Sequence, residues 1–65
     1  MTTLRYRFDM IGAHYAGENA HPQLVILRYA PDAFDFEPVS ISDCWLFRTK
    51  QPIEPLPSFI QEVVS

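Results

Sequence analysis

Leu4, Tyr6, Phe8 and Met10 alternate with Arg5, Arg7 and Asp9 along residues 4 to 11. A two-residue period predicts a strand with one buried and one wet face. Gly12 to Pro22 then gathers both glycines, His14, Asn19, His21 and a proline, and that composition predicts a loop. Residues 23 to 30 read Gln-Leu-Val-Ile-Leu-Arg-Tyr-Ala, with aliphatic side chains at odd and even positions alike. Such a run is expected of a central strand covered on both faces. Pro31 to Pro38 carries Asp32, Phe34, Asp35, Phe36 and Glu37, and the bounding prolines predict an acidic connecting loop.

A third strand is expected from Val39 to about Arg48, with Val39, Ile41, Trp45 and Phe47 on one face and Ser40, Ser42, Cys44, Leu46 and Arg48 on the other. Asp43 falls on the apolar side, where a bulge or hydrogen-bond donors would be needed to offset burial of a carboxylate. Pro52, Pro55 and Pro57 impose an extended path on residues 51 to 56. Ser58 is suited to cap a short helix over residues 58 to 64, with Phe59, Ile60, Val63 and Val64 on its packed side. The expected fold is therefore α+β: a three-stranded antiparallel meander with a short C-terminal helix on one face, in a single domain over residues 1–65. Short connections favour antiparallel pairing, because parallel crossovers need a dozen or more residues.

Composition constrains what this scaffold can be. Hydrophobic residues make up 48% of the chain and aromatics 14%, enough for a core of large side chains. At 65 residues the fold is nevertheless near the size at which burial is marginal. Cys44 is the only cysteine, so no internal disulfide can compensate, and a lone thiol fits a reducing compartment. Asp9 and His14 interrupt the apolar residues after Arg5 and Arg7, which is not the pattern of a secretion signal. A cytoplasmic location is expected. The apolar runs Leu24 to Leu27 and Cys44 to Phe47 are far short of the roughly 20 residues that span a bilayer. A net charge of -3 and a pI near 5.0 disfavour non-specific attraction to nucleic-acid phosphates.

No residues present a recognisable catalytic, cofactor or metal pattern. His14, His21 and Cys44 lack the paired short spacings of zinc motifs. Gly12 and Gly17 have the glycine spacing of a phosphate loop, but Glu18 and Asn19 stand where Lys and Ser or Thr are required. Asp43 beside Cys44 disfavours a reactive thiolate. Two surfaces remain. Arg5, Arg7, Arg28 and Arg48 would emerge from one face of the expected sheet, and guanidinium groups there can grip carboxylates or phosphates in paired hydrogen bonds. Asp32, Phe34, Asp35, Phe36 and Glu37 offer rings among carboxylates, suited to a basic groove on a partner.

These features describe a non-enzymatic protein-interaction module, a small inhibitor or adaptor that binds a larger protein or complex. Phage proteins that block host machinery, such as anti-CRISPR proteins, exemplify that class by size and style, with no motif in common. Open sheet edges also allow a homodimer. The alternative is a small nucleic-acid-binding domain using the arginine face, with Tyr6, Tyr29 or Trp45 as stacking groups.

Overall fold

In the computed structural model, which describes residues 3–63, four strands form one antiparallel sheet and two α-helices cover one side of it. In chain order these are β1 (Leu4–Asp9), α1 (Met10–Tyr15), α2 (Pro22–Tyr29), β2 (Phe34–Val39), β3 (Cys44–Thr49) and β4 (Ile60–Glu62), with a 3-10 turn at Ser40–Ser42. The spatial order is β2-β3-β1-β4. The α+β class and the antiparallel sheet are as expected; the number of strands, their order and the helix positions differ.

β1 forms where the alternation predicts it, and Tyr6 and Phe8 are buried on its inner face. It gives way directly to α1, because the Asp9 carboxylate accepts a hydrogen bond from the Ile11 amide at 3.1 Å and so caps the helix. Gly12 lies inside α1, where a Cβ would come within 3.3 Å of the Phe59 Cβ. That glycine permits close packing, whereas Gly17, at φ +90°, makes the turn that leaves the helix.

Residues 23 to 30 are not the central strand but most of α2. Pro22 occupies the first turn and the His21 ring nitrogen accepts from the Gln23 amide at 3.1 Å, a strong local start for a helix. Val25, Ile26 and Tyr29 then face inward, while Leu24, Leu27 and Arg28 face out. The expected acidic loop is largely edge strand β2, bent by a bulge between Phe34 and Glu37 with Asp35 in the left-handed region at φ 59°. The bulge reverses the sense of the alternation. Phe34 pairs with Arg48, while Phe36 turns to the other face and stacks on the core residue Phe47, ring centroids 6.3 Å apart.

The expected third strand splits. Residues 40 to 42 form the 3-10 turn, Asp43 adopts φ 50°, and β3 begins only at Cys44. Asp43 is thereby exposed in a turn, and its carboxylate needs no buried partner. The expected C-terminal helix is replaced by β4 on the outer edge of β1, where Phe8 faces Ile60 and Tyr6 faces Glu62. The Phe59 carbonyl accepts from the Asp9 amide and the Val63 amide donates to the Arg5 carbonyl, both at 2.8 Å. Pairing here satisfies the outer edge of β1, which a helix at these residues would leave open. Val64, part of that expected helix, lies outside the described residues.

The core lies between sheet and helices. Tyr6, Phe8, Phe47 and Ile60 meet Ala13 of α1, Val25 and Ile26 of α2, and Ile53 and Phe59 of the proline-rich return. Among the described residues no helix is long and apolar enough to cross a membrane.

Candidate interaction surface

The outward face of the sheet follows from strand register. In an antiparallel sheet directly paired residues share a face. Arg48 therefore stands between Phe34 and Arg5, and Leu46 between Glu37 and Arg7, with Gln61 beyond Arg7 on β4. This is the side away from Tyr6, Phe8 and Phe47. Arg5, Arg48, Glu37 and Gln61 are exposed on it, whereas Arg7 and Leu46 are half-buried.

Three of the arginines singled out from the sequence come together and one does not. Arg5, Arg7 and Arg48 occupy adjacent positions on β1 and β3. Arg28 belongs to α2 and forms an ion pair with Glu18, which also accepts from the Tyr29 hydroxyl at 3.0 Å. Glu18 thus ties the loop after α1 onto α2. The hydrogen bond to Glu18, then burial and the charge of Glu18, raise the Tyr29 pKa above its usual value of 10.0.

The acidic segment joins the same face in part. Asp35, displaced by the bulge, contacts the Arg48 Nε at 3.3 Å. Both side chains are about half exposed, so the pair contributes little to stability. Asp35, Glu37, Arg5, Arg48, Leu46 and Val63 line a shallow hollow of about 60 Å³. Asp32 lies elsewhere, accepting the Lys50 and Gln51 amides at 2.8 and 3.2 Å, and is a structural brace. Phe36 is half-buried and packs against the core on the opposite side of the sheet. The two surfaces expected from the sequence thus merge into one, carried by Arg5, Arg7, Arg48, Phe34, Asp35 and Glu37.

The electrostatics of this face are uneven. Arg5 and Arg48 are direct cross-strand partners, an arrangement of like charges that costs stability in a sheet. Asp35 offsets it on the Arg48 side, while Arg5 makes no ion pair among the described residues. Arg7 donates to the Gln61 side-chain oxygen, Oε1, at 3.4 Å. Hydrogen bonding to Cys44, followed by attraction between the two groups, shifts the Arg7 pKa above the ordinary arginine value. Cys44 itself is buried.

Comparison with protein-family models, curated proteins and solved structures finds no match. The face must be interpreted from its own chemistry. Its groups are permanent cations, carboxylates and apolar side chains, able to form paired hydrogen bonds and apolar contacts. Among the described residues no three His, Cys, Asp or Glu side chains converge to hold a metal ion. His21 caps α2 and packs edge-on against Trp45, ring centroids 5.8 Å apart. Gln61 and Val63 on this face were not foreseeable from the residues alone, because the expected helix at residues 58 to 64 places them elsewhere. Only the β-branched Ile60 and Val63 hinted at the edge pairing.

Proposed function

We propose that this chain is a non-enzymatic protein-interaction module, a small inhibitor or adaptor that grips a larger protein through the open face of its sheet. One observation supports this more than any other: Arg5 and Arg48 are directly paired across two central strands with only one of them neutralised. An arrangement that costs stability in isolation is accounted for if a partner carboxylate completes it. Leu46 and Val63 between the charged groups supply apolar area at the centre of the contact. The finer version, a cytoplasmic inhibitor of host machinery of the phage type, rests on size, acidity and a lone cysteine.

A nucleic-acid role on this face is less well supported. Tyr6 is buried among the inner residues, Trp45 packs on His21 and Tyr29 bonds Glu18, so none of them flanks Arg5, Arg7 and Arg48.

The test is affinity capture by the intact protein, with identification of retained proteins, repeated with charge-reversed variants. Arg5→Glu with Arg7→Glu should abolish retention of a specific partner, while Arg28→Glu, off the face, should not. Retention unchanged by the Arg5/Arg7 reversal would refute the proposed surface. Binding to single- or double-stranded nucleic acid that weakens steeply with salt would instead favour the nucleic-acid role.

A further inference from the structure

A second surface, sharing no residue with the arginine face, lies where α1 meets the β2–β3 connection. The Met10 amide donates to the Asp43 carbonyl at 3.1 Å and fixes the 3-10 turn beside the first turn of the helix. Met10, Ile11, His14, Tyr15 and Asp43 line a broad, open and mainly apolar hollow of about 380 Å³. Next to it, two positions before Asp43, Ile41 stands 95% exposed, and Tyr15 and Ile11 are 86% and 52% exposed. These side chains contribute little to the monomer's own core.

The projecting turn is preset. Asp43 holds a left-handed conformation, its amide donates to the Ser40 carbonyl at 3.4 Å, and its carbonyl is engaged by Met10. A fixed apolar knob beside an apolar hollow on one surface is what an isologous two-fold contact requires, each copy giving its knob and receiving the other's. We propose that a second copy of this chain covers this surface, with Ile41 of each copy seated in the hollow of the other.

Size and polar complementarity favour that occupant. Ile41, Tyr15 and Ile11 alone expose roughly 500 Å² per copy, hence about 1,000 Å² for a pair, approaching the lower bound for a specific interface before rim residues are added. His14 and Asp43 both lie on the hollow, and a two-fold axis lets the His14 ring of one copy hydrogen-bond the Asp43 carboxylate of the other.

Sedimentation of the intact protein from micromolar to near-millimolar concentration tests the proposal. The wild type should form a dimer, Ile41→Glu should be monomeric with an unchanged circular-dichroism spectrum, and Tyr15→Ala should weaken association about tenfold or more. A wild type that stays monomeric throughout, or an Ile41→Glu protein that dimerises as the wild type does, overturns the proposal. Should Ile41→Glu unfold, concentration-dependent amide shifts of the wild type decide. Changes confined to residues 10 to 15 and 40 to 43 support the contact, and changes centred elsewhere overturn it.

Discussion

Replacing Tyr6 by Phe isolates one buried hydrogen bond. The Tyr6 hydroxyl accepts from the Ile53 amide at 3.2 Å, and both residues are almost wholly buried, at 2% and 6% exposure. Removing the oxygen leaves the ring and its stack on Phe47 in place, with centroids 5.6 Å apart. The Ile53 N–H, however, loses its partner. A buried donor left unsatisfied costs about 1–3 kcal/mol. For a chain of 65 residues, an unfolding entropy of about 2.1 cal/mol/K per residue makes each kcal/mol worth about 7 °C in melting temperature. Tyr6→Phe should therefore melt about 7 to 20 °C below the wild type by circular dichroism. Tyr15→Phe, altering a hydroxyl exposed in the single chain, serves as control and, at concentrations where the protein is monomeric, should melt as the wild type does. A Tyr6→Phe melting temperature within about 3 °C of the wild type would refute the reasoning. It would mean that the proline-rich return is held by its other braces, the Thr49 hydroxyl on the Gln51 carbonyl and Asp32 on the Lys50 and Gln51 amides.

Two other outcomes follow from local geometry. At the bulge, Asp35 sits at φ 59°, so Asp35→Val should lower the urea-unfolding free energy by about 1–2 kcal/mol, while Asp35→Gly stays close to the wild type; equal losses in both would assign the cost to the Arg48 contact instead. Tyr29 has a raised pKa because its protonated hydroxyl donates to Glu18. A group whose folded pKa is raised contributes stability that is complete below its unfolded value, here 10.0, and is lost as pH climbs through the folded value. The urea midpoint of the wild type should thus fall more steeply above pH 10.0 than that of Tyr29→Phe, with no difference in slope below it.

How much of this molecule can be read from its letters depends on whether one period excludes the other. Leu4, Tyr6 and Phe8 alternate so strictly with charged residues that no helix could bury them together, and β1 forms as expected. Leu24-Val25-Ile26-Leu27 fits either period, since an apolar run lacks a polar face to fix its orientation. There Pro22 and the His21 cap, local signals easily taken for loop residues, accompany the helix. Phe59, Ile60 and Val63 are equally ambiguous, and the unpaired edge of β1, a tertiary fact, accounts for their placement. Phe34-Asp35-Phe36 alternates as a strand does, yet its acids and flanking prolines suggest a loop, and the αL residue that puts a bulge in the strand is not marked by a glycine. The arginine face was partly legible for the same reason. Arg5, Arg7 and Arg48 lie on strands whose parity was recognisable, while Arg28 followed the misread helix.

The position of β1 between β3 and β4 also shapes how the molecule can assemble. Its neighbours on both sides belong to the second half of the chain. During synthesis this first strand has no sheet partner until the segments from Cys44 onward have emerged, and its hydrogen-bonding edges must wait for them. Closing such distant segments is entropically slow compared with forming α1 and α2. A truncated chain ending before Cys44 should therefore show isolated helical tendency at most, and the molecule should acquire its sheet in a single late step.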